Sequence, residues 1–247
     1  MRKIFSSFIT SLTFITVIPV PKRFIPSWDS ENLRYFCLML PVTGVILGML
    51  WLMMSLILSL MPSVSPTLRG FMMMMFTLAL TGGLHLDGLM DTCDALFSHR
   101  DRQTRLKILS DTHAGSFAVM GCVAVMMSKT LLFAELSASS HIALIPVFSR
   151  LGMALLLCNM TFAKNDGLAV TLGSSRNQHD NFAFVLMLLT LSFMAGLCVT
   201  CSFALSMIIH VIICVKIFGG ITGDLLGAFV EVSEIIMLFG TVVENCI

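Results

Sequence analysis

The chain has 247 residues, 57% of them hydrophobic and only 12% charged, with a mean hydropathy of +0.94. Soluble domains do not carry that much apolar surface, so the composition excludes them and points to a polytopic membrane protein. A formal net charge of +1, with no basic stripe interleaved with aromatics, excludes a nucleic-acid partner.

The first apolar stretch, Ile4 to Ile18, carries Ser and Thr and is flanked by Arg2, Lys3, Lys22 and Arg23. It falls short of the roughly 20 apolar residues that cross a hydrocarbon core about 30 Å thick, and reads as an interfacial helix. A cleaved signal peptide is the rival, but "ITVIPVPKRF" offers no small-x-small cleavage site. Beyond it lie about seven candidate spans, at 36–61, 69–86, 116–136, 141–163, 182–199, 202–218 and 225–243. The expected fold is all-α: one integral membrane domain over 1–247, with a cytoplasmic or interfacial segment at 1–34 and a transmembrane bundle at 36–243.

Lys and Arg near span ends are retained in the cytoplasm. Arg2, Lys3, Lys22, Arg23 and Arg34 precede the first span, and Arg100, Arg102, Arg105 and Lys107 crowd the loop after the second. Two crossings separate these clusters, so both are assigned to the cytoplasm, together with Lys164 and Arg176. The uncharged links "PSVSPT" (62–67) and "SASS" (137–140) fall outside, as does the C-terminus.

Asp87, Asp91, Asp94, Asp111 and Asp224 then meet at the cytoplasmic surface. Asp87, Asp91 and Asp94 are related by steps of four and three and share one side of a helix. Like charges so placed repel, and a divalent cation removes the conflict. Hard oxygen donors suit Mg²⁺, or Mn²⁺, rather than zinc. His85, two positions before Asp87, points elsewhere on a regular helix. Gly82-Gly83 and Gly219-Gly220 each precede an aspartate by the same interval, in GGLHLD and GGITGD, where glycine lets backbone or ligand come close. The competing reading is that these acids cap helices and pair with Arg100–Lys107 in a solvated loop.

Lys129 and Arg150 lie inside apolar runs, where charges usually line a polar cavity, and are candidates for phosphate contact. Lys129 has the alternatives of snorkelling or pairing with Glu135. Glu231 and Glu234 fit proton handling or an ion pair with Lys129 or Arg150. In "SDTHAGSF", His113, Gly115 and Ser116 offer a phosphate-binding helix start, against a simple N-cap by Asp111 or Thr112. His210 reads as a hydrogen-bonded packing residue. The eight cysteines, Cys198-x-x-Cys201 included, read as packing, and Met72–Met75 as apolar filler.

The stretches "FITVIPVPKRF" (14–24), "GGLHLDGLMDTCDALFS" (82–98), "RLKILSDTHAGSFAVM" (105–120) and "GGITGDLLGAFVEVSE" (219–234) resemble the cobalamin-5′-phosphate synthase family, the adenosylcobinamide-GDP ribazoletransferases. The chain departs from the family pattern at Ala95, where Gly is usual, and at His113, where Arg is common. The resemblance implies a Mg²⁺-dependent, phosphodiester-forming transferase of the bacterial inner membrane. It would join adenosylcobinamide-GDP to α-ribazole or its 5′-phosphate, release GMP and close the nucleotide loop of a corrinoid. On that reading Asp87, Asp91, Asp94 and Asp224 hold the metal. Asp91, Asp94 and Asp111 serve catalysis, with Asp94 the candidate proton acceptor. Lys129, Arg150, His113, Ser116, Gly83 and Gly220 contact substrate. Further expected partners are lipid, a second copy of the chain or other late enzymes of cobalamin synthesis. The alternatives are a membrane CDP-alcohol phosphotransferase, whose D-G-x-x-A-R run is missing here, and a divalent-cation transporter, which would distribute acids through the bilayer.

Overall fold

Serine, proline and glycine set the ends of the apolar runs. Ser65 accepts a hydrogen bond from the Leu68 N–H at 3.3 Å and Pro66 opens the helix that follows, where a missing backbone N–H costs nothing. The computed structural model describes residues 2–136, 139–173 and 180–246, so the expected cytoplasmic Arg176 and part of the 137–140 link lie outside the described residues. In chain order the helices are α1 (Arg2–Ile15), α2 (Ser30–Leu33), α3 (Phe36–Ser59), α4 (Pro66–Thr81), α5 (Leu84–Phe97), α6 (Arg102–Ile108) and α7 (Ser116–Glu135). After these come α8 (Ile145–Asn159), α9 (Leu168–Gly173), α10 (Asp180–Ala195), α11 (Leu197–Ile213) and α12 (Gly223–Cys246). A π-helical turn, Cys214–Phe218, prolongs α11. Among the described residues the extended structure is confined to one isolated parallel bridge, Phe162 to Ile221.

The chain is a polytopic helical membrane bundle, with fewer helices of full spanning length among the described residues than the seven spans expected. Among the described residues five helices are long and apolar enough to cross, or six if a sharply bent pair counts as one. That pair is α4 and α5, which meet at 95°. The sequence pattern runs on through 69–86, yet Gly82 (φ +61°) and Gly83 (φ +77°) are both left-handed. Two such residues in succession would cost other amino acids about 1–2 kcal/mol each, and they turn the chain instead of extending it. The aspartates therefore sit on a separate 14-residue helix beyond the bend. Gly196 (φ +85°) likewise divides α10 from α11 earlier than hydropathy places the link, leaving α10 only 16 residues long.

α1, at 14 residues, is shorter than a full span, and it buries one side. Ile9, Leu12 and Ile15 are in the core, and Ser11 shares a 2.9 Å hydroxyl hydrogen bond with Thr43 of α3. Its exit is fixed to the α4 end, because the Val17 N–H donates to Leu80 O at 2.9 Å.

Deep in the bundle, α7, α8 and α12 are joined by charge. Lys129 Nζ donates to Glu231 Oε2 at 2.6 Å and to Glu234 Oε2 at 2.7 Å. Arg150 pairs with Glu234 and donates to Ser149 Oγ at 2.8 Å, and Ser149 Oγ donates to Glu234 Oε1 at 3.1 Å. All four charged residues are buried, from Arg150 at 1% exposure to Glu231 at 8%. Two cations against two anions leave the set neutral, the condition under which charge is tolerated at that depth. Of the open readings for Glu231 and Glu234, the ion pair is the one observed, and Lys129 pairs with them rather than with Glu135.

Removing one member strands its partners. Glu234→Leu is expected to lower stability by about 3–5 kcal/mol, measured as a fall in Tm of the detergent-solubilised protein. The paired change Lys129→Met with Glu231→Leu keeps the set neutral and is expected to cost far less. Equal losses from the two would show that charge balance is not what holds these helices together.

Candidate active site

Two helices deliver the acids. α5 begins at Leu84 and α12 at Gly223, and the two cross where neither has a side chain to spare. Gly88 faces the Asp224 backbone so closely that a Cβ would stand 2.9 Å from both its Cα and its O. Gly227 faces the His85 backbone in the same way, with a Cβ 3.1 Å from the His85 O. This approach sets Asp87 and Asp224, 137 positions apart in sequence, on the wall of one cavity of roughly 200 Å³. Asp91 lies within electrostatic reach of Asp224, Asp87, Asp94 and Asp111.

The remaining wall comes from segments the motifs do not mark. Phe14 of α1, Met153 of α8, the 164–172 stretch and residues 221–227 complete it. The 160–167 loop is held there by backbone pairing: Ala163 N donates to Ile221 O, and Ile221 N to Thr161 O, both at 2.9 Å. Gly220 permits this, since a Cβ would come within 2.7 Å of Phe162 C and Thr161 O. Arg102 of α6 reaches the same loop, donating to Gly219 O at 3.3 Å. Lys164 Nζ donates to Ser110 Oγ at 2.5 Å and lies within electrostatic reach of Asp224. Lys164 and Asp166 were legible as a charged "KNDG" run directly after an apolar span. The spacing of the acids carried no information about them.

The expected site residues divide into three groups. Asp87, Asp91 and Asp224 come together. Asp94 is adjacent but engaged: its Oδ2 accepts the Gly115 N–H at 2.6 Å and its Oδ1 the Ala118 N–H at 2.9 Å. It caps α7 from a neighbouring helix, which matches the helix-capping half of the competing reading. Asp111 and His113 form a surface turn, in which the Asp111 carboxylate accepts the His113 backbone N–H at 3.0 Å and meets its Nδ1 at 2.8 Å. Those hydrogen bonds hold the Asp111 carboxyl below its ordinary range. His113 and Ser116 are exposed and do not line the cavity. Gly83 and Gly220 shape backbone rather than wall. Lys129 and Arg150 are turned to Glu231 and Glu234 in the internal ion network and do not line this cavity.

Among the described residues no group of three or more His, Cys, Asp or Glu side chains is drawn together tightly enough to hold a metal ion by itself. For Mg²⁺ that is no obstacle, because this ion keeps several waters and is usually bound through one or two carboxylates plus substrate phosphates. The oxygen-only donors at the cavity fit it in kind.

A model of the family described as cobalamin-5-phosphate synthase matches residues 7–242. The chain is similar to proteins named adenosylcobinamide-GDP ribazoletransferase in several bacteria. It is 34% identical to that of Geobacillus sp. (strain WCH70), across 95% of this chain and 94% of the relative. It is 32% identical to that of Geobacillus thermodenitrificans, across 98% and 97%, and 32% identical to that of Desulfitobacterium hafniense, across 97% and 96%. No solved structure matches.

Asp94 offers a test of the cap. Asp94→Ala removes both acceptors and is expected to cost about 1 kcal/mol, seen as a lowered Tm, whereas Asp94→Asn retains one oxygen and should recover much of it. A Tm unchanged in Asp94→Ala would remove the structural role.

Proposed function

The chain belongs to the cobalamin-5-phosphate synthase family, and from that premise we propose a Mg²⁺-dependent membrane transferase. It joins adenosylcobinamide-GDP to α-ribazole or its 5′-phosphate, releasing GMP. The observation that carries this reading is the pairing of Asp87 with Asp224 on one cavity, next to Asp91 and Lys164. Carboxylates from two helices beside an ammonium are the groups needed to hold a diphosphate through a divalent cation.

Asp87 and Asp224 are the residues that would hold the ion, with Asp91 beside them; Mn²⁺ has the same donor preferences. When bound, a divalent cation neutralises charge on phosphate oxygens and eases departure of the nucleotide. Lys164 supports a phosphate oxygen as a point charge. Asp94 is tied to the start of α7 by backbone N–H groups on both oxygens, so the more open Asp91 is assigned to accept the proton of the attacking ribose hydroxyl. Asp94 and Asp111 act at one remove, by ordering the start of α7 and the loop before it.

The same end of the bundle carries Arg100, Arg102, Arg105, Lys107 and Lys164, and the positive-inside bias supports a cytoplasmic site in a bacterial inner membrane. Acids collected at one end, above a neutral buried ion set, do not form the route across the bilayer that a cation transporter needs.

The test is direct. Purified protein with adenosylcobinamide-GDP and α-ribazole should release GMP with Mg²⁺ and not after chelation. Asp224→Asn and Asp91→Asn should each lower that rate by about 10²-fold or more, with Tm near that of the parent. Full activity in a correctly inserted Asp224→Asn protein would rule out the metal assignment.

A further inference from the structure

The cavity has more apolar wall than a phosphate or a metal needs. Met153, Leu172, Ile221 and Leu226 line it and are all buried, with the Phe14 ring beside them. Its roughly 200 Å³ is below the roughly 300–1,000 Å³ that encloses a whole drug-sized ligand. It holds one ring system while the rest of a large substrate stays outside. On the same wall His85 is only 2% exposed, and its Nε2 is buried without a hydrogen-bond partner. A polar atom left in that condition destabilises the fold until a ligand satisfies it.

Resting on the transferase reading, we propose that this cavity receives the heteroaromatic base of the acceptor riboside. The ribose then lies toward Asp87 and Asp224, and the His85 ring, turning its Nε2 into the cavity, meets the one ring nitrogen of the base that is not bonded to sugar. The dimethylbenzimidazole of α-ribazole matches point for point. It has two fused flat rings and two methyl groups for the aliphatic walls, and one acceptor for the Nε2–H tautomer of His85. Guanine, the other base in the reaction, presents a carbonyl, an amino group and ring N–H groups along its edges. Against the apolar Met153, Leu172, Ile221 and Leu226 several of these would go unpaired. The Phe14 ring adds a surface for offset or edge contact with an aromatic base.

Ala169, buried in the wall, gives the means of filling the cavity without touching an acid. Ala169→Phe is expected to raise KM for α-ribazole by about tenfold or more, with KM for adenosylcobinamide-GDP changed by less than about twofold. The riboside of unsubstituted imidazole, a smaller base, should be affected less than α-ribazole. His85→Phe should raise KM for α-ribazole in the same direction, and His85→Gln should restore part of the loss. Free 5,6-dimethylbenzimidazole, titrated calorimetrically into detergent-solubilised protein, should bind the parent and not Ala169→Phe.

A rise confined to KM for adenosylcobinamide-GDP would put guanine in the cavity and overturn the proposal. So would unchanged constants in a folded Ala169→Phe, or, if that variant does not fold, a parent protein that fails to bind the free base. Parent protein that binds dimethylbenzimidazole but transfers to no riboside would instead sink the transferase reading and leave the cavity assignment standing.

Discussion

The close crossing of α5 and α12 is the constraint from which the active end is built. Helices normally pack 8–10 Å apart, a spacing set by the side chains between them. Here Gly88 lies on the Asp224 backbone and Gly227 on that of His85, so the gap closes to backbone contact. A methyl group at position 88 would drive Asp224 outward, and with it the start of α12 and one wall of the cavity. The crossing exists only because α5 runs at 95° to α4, so the two left-handed glycines at 82 and 83 belong to the same device. Gly219 (φ +73°) and Gly220 perform the matching service for α12, ending the π-helical turn and admitting the 160–167 loop.

A crossing this tight is useful only if α12 cannot slide along its axis, and the buried ion set supplies the restraint. Lys129 grips α12 at two places one turn apart, while Arg150 and Ser149 hold Glu234 from the opposite helix. Moving α12 by one residue would leave at least one charge without its partner in a medium where that is costly. His85 lies within electrostatic reach of Arg150, Glu234 and Lys129 and also lines the cavity, so it joins the clamp below to the site above.

What could be read from the sequence followed from local spacing. Asp87, Asp91 and Asp94 do share a helix, and the equal intervals of GGLHLD and GGITGD do mark equivalent places, where a left-handed glycine pair turns the chain from one helix into another. Hydropathy ran through 82–83 because it registers apolarity and not φ. The partners of Lys129 lie 102 and 105 positions away, and the N–H groups that occupy Asp94 lie 21 and 24 away. Pairings at such separations are decided by how helices pack, and no window along the chain contains them. For the same reason Lys129 and Arg150 read as substrate contacts, and the wall formed by Phe14, Met153 and Leu172 could not be assembled at all.

The distribution of charge at the active end explains why a divalent cation is the natural complement there. Each acid of the cluster was legible, but its compensation was not. Asp94 is answered by the N-terminal amides of α7, where the helix dipole also favours a negative group. Asp111 is answered by His113, and Asp224 in part by Lys164. The charges that act on Asp91 are all acidic, those of Asp224, Asp87, Asp94 and Asp111, so an excess of negative charge remains there. An excess of about that size, at the rim of an apolar cavity, attracts Mg²⁺ while leaving the ion unsaturated by protein oxygens. The unfilled positions are what a diphosphate requires. A preassembled cage of three or four carboxylates would bind the metal more tightly and leave the substrate less of it to bind.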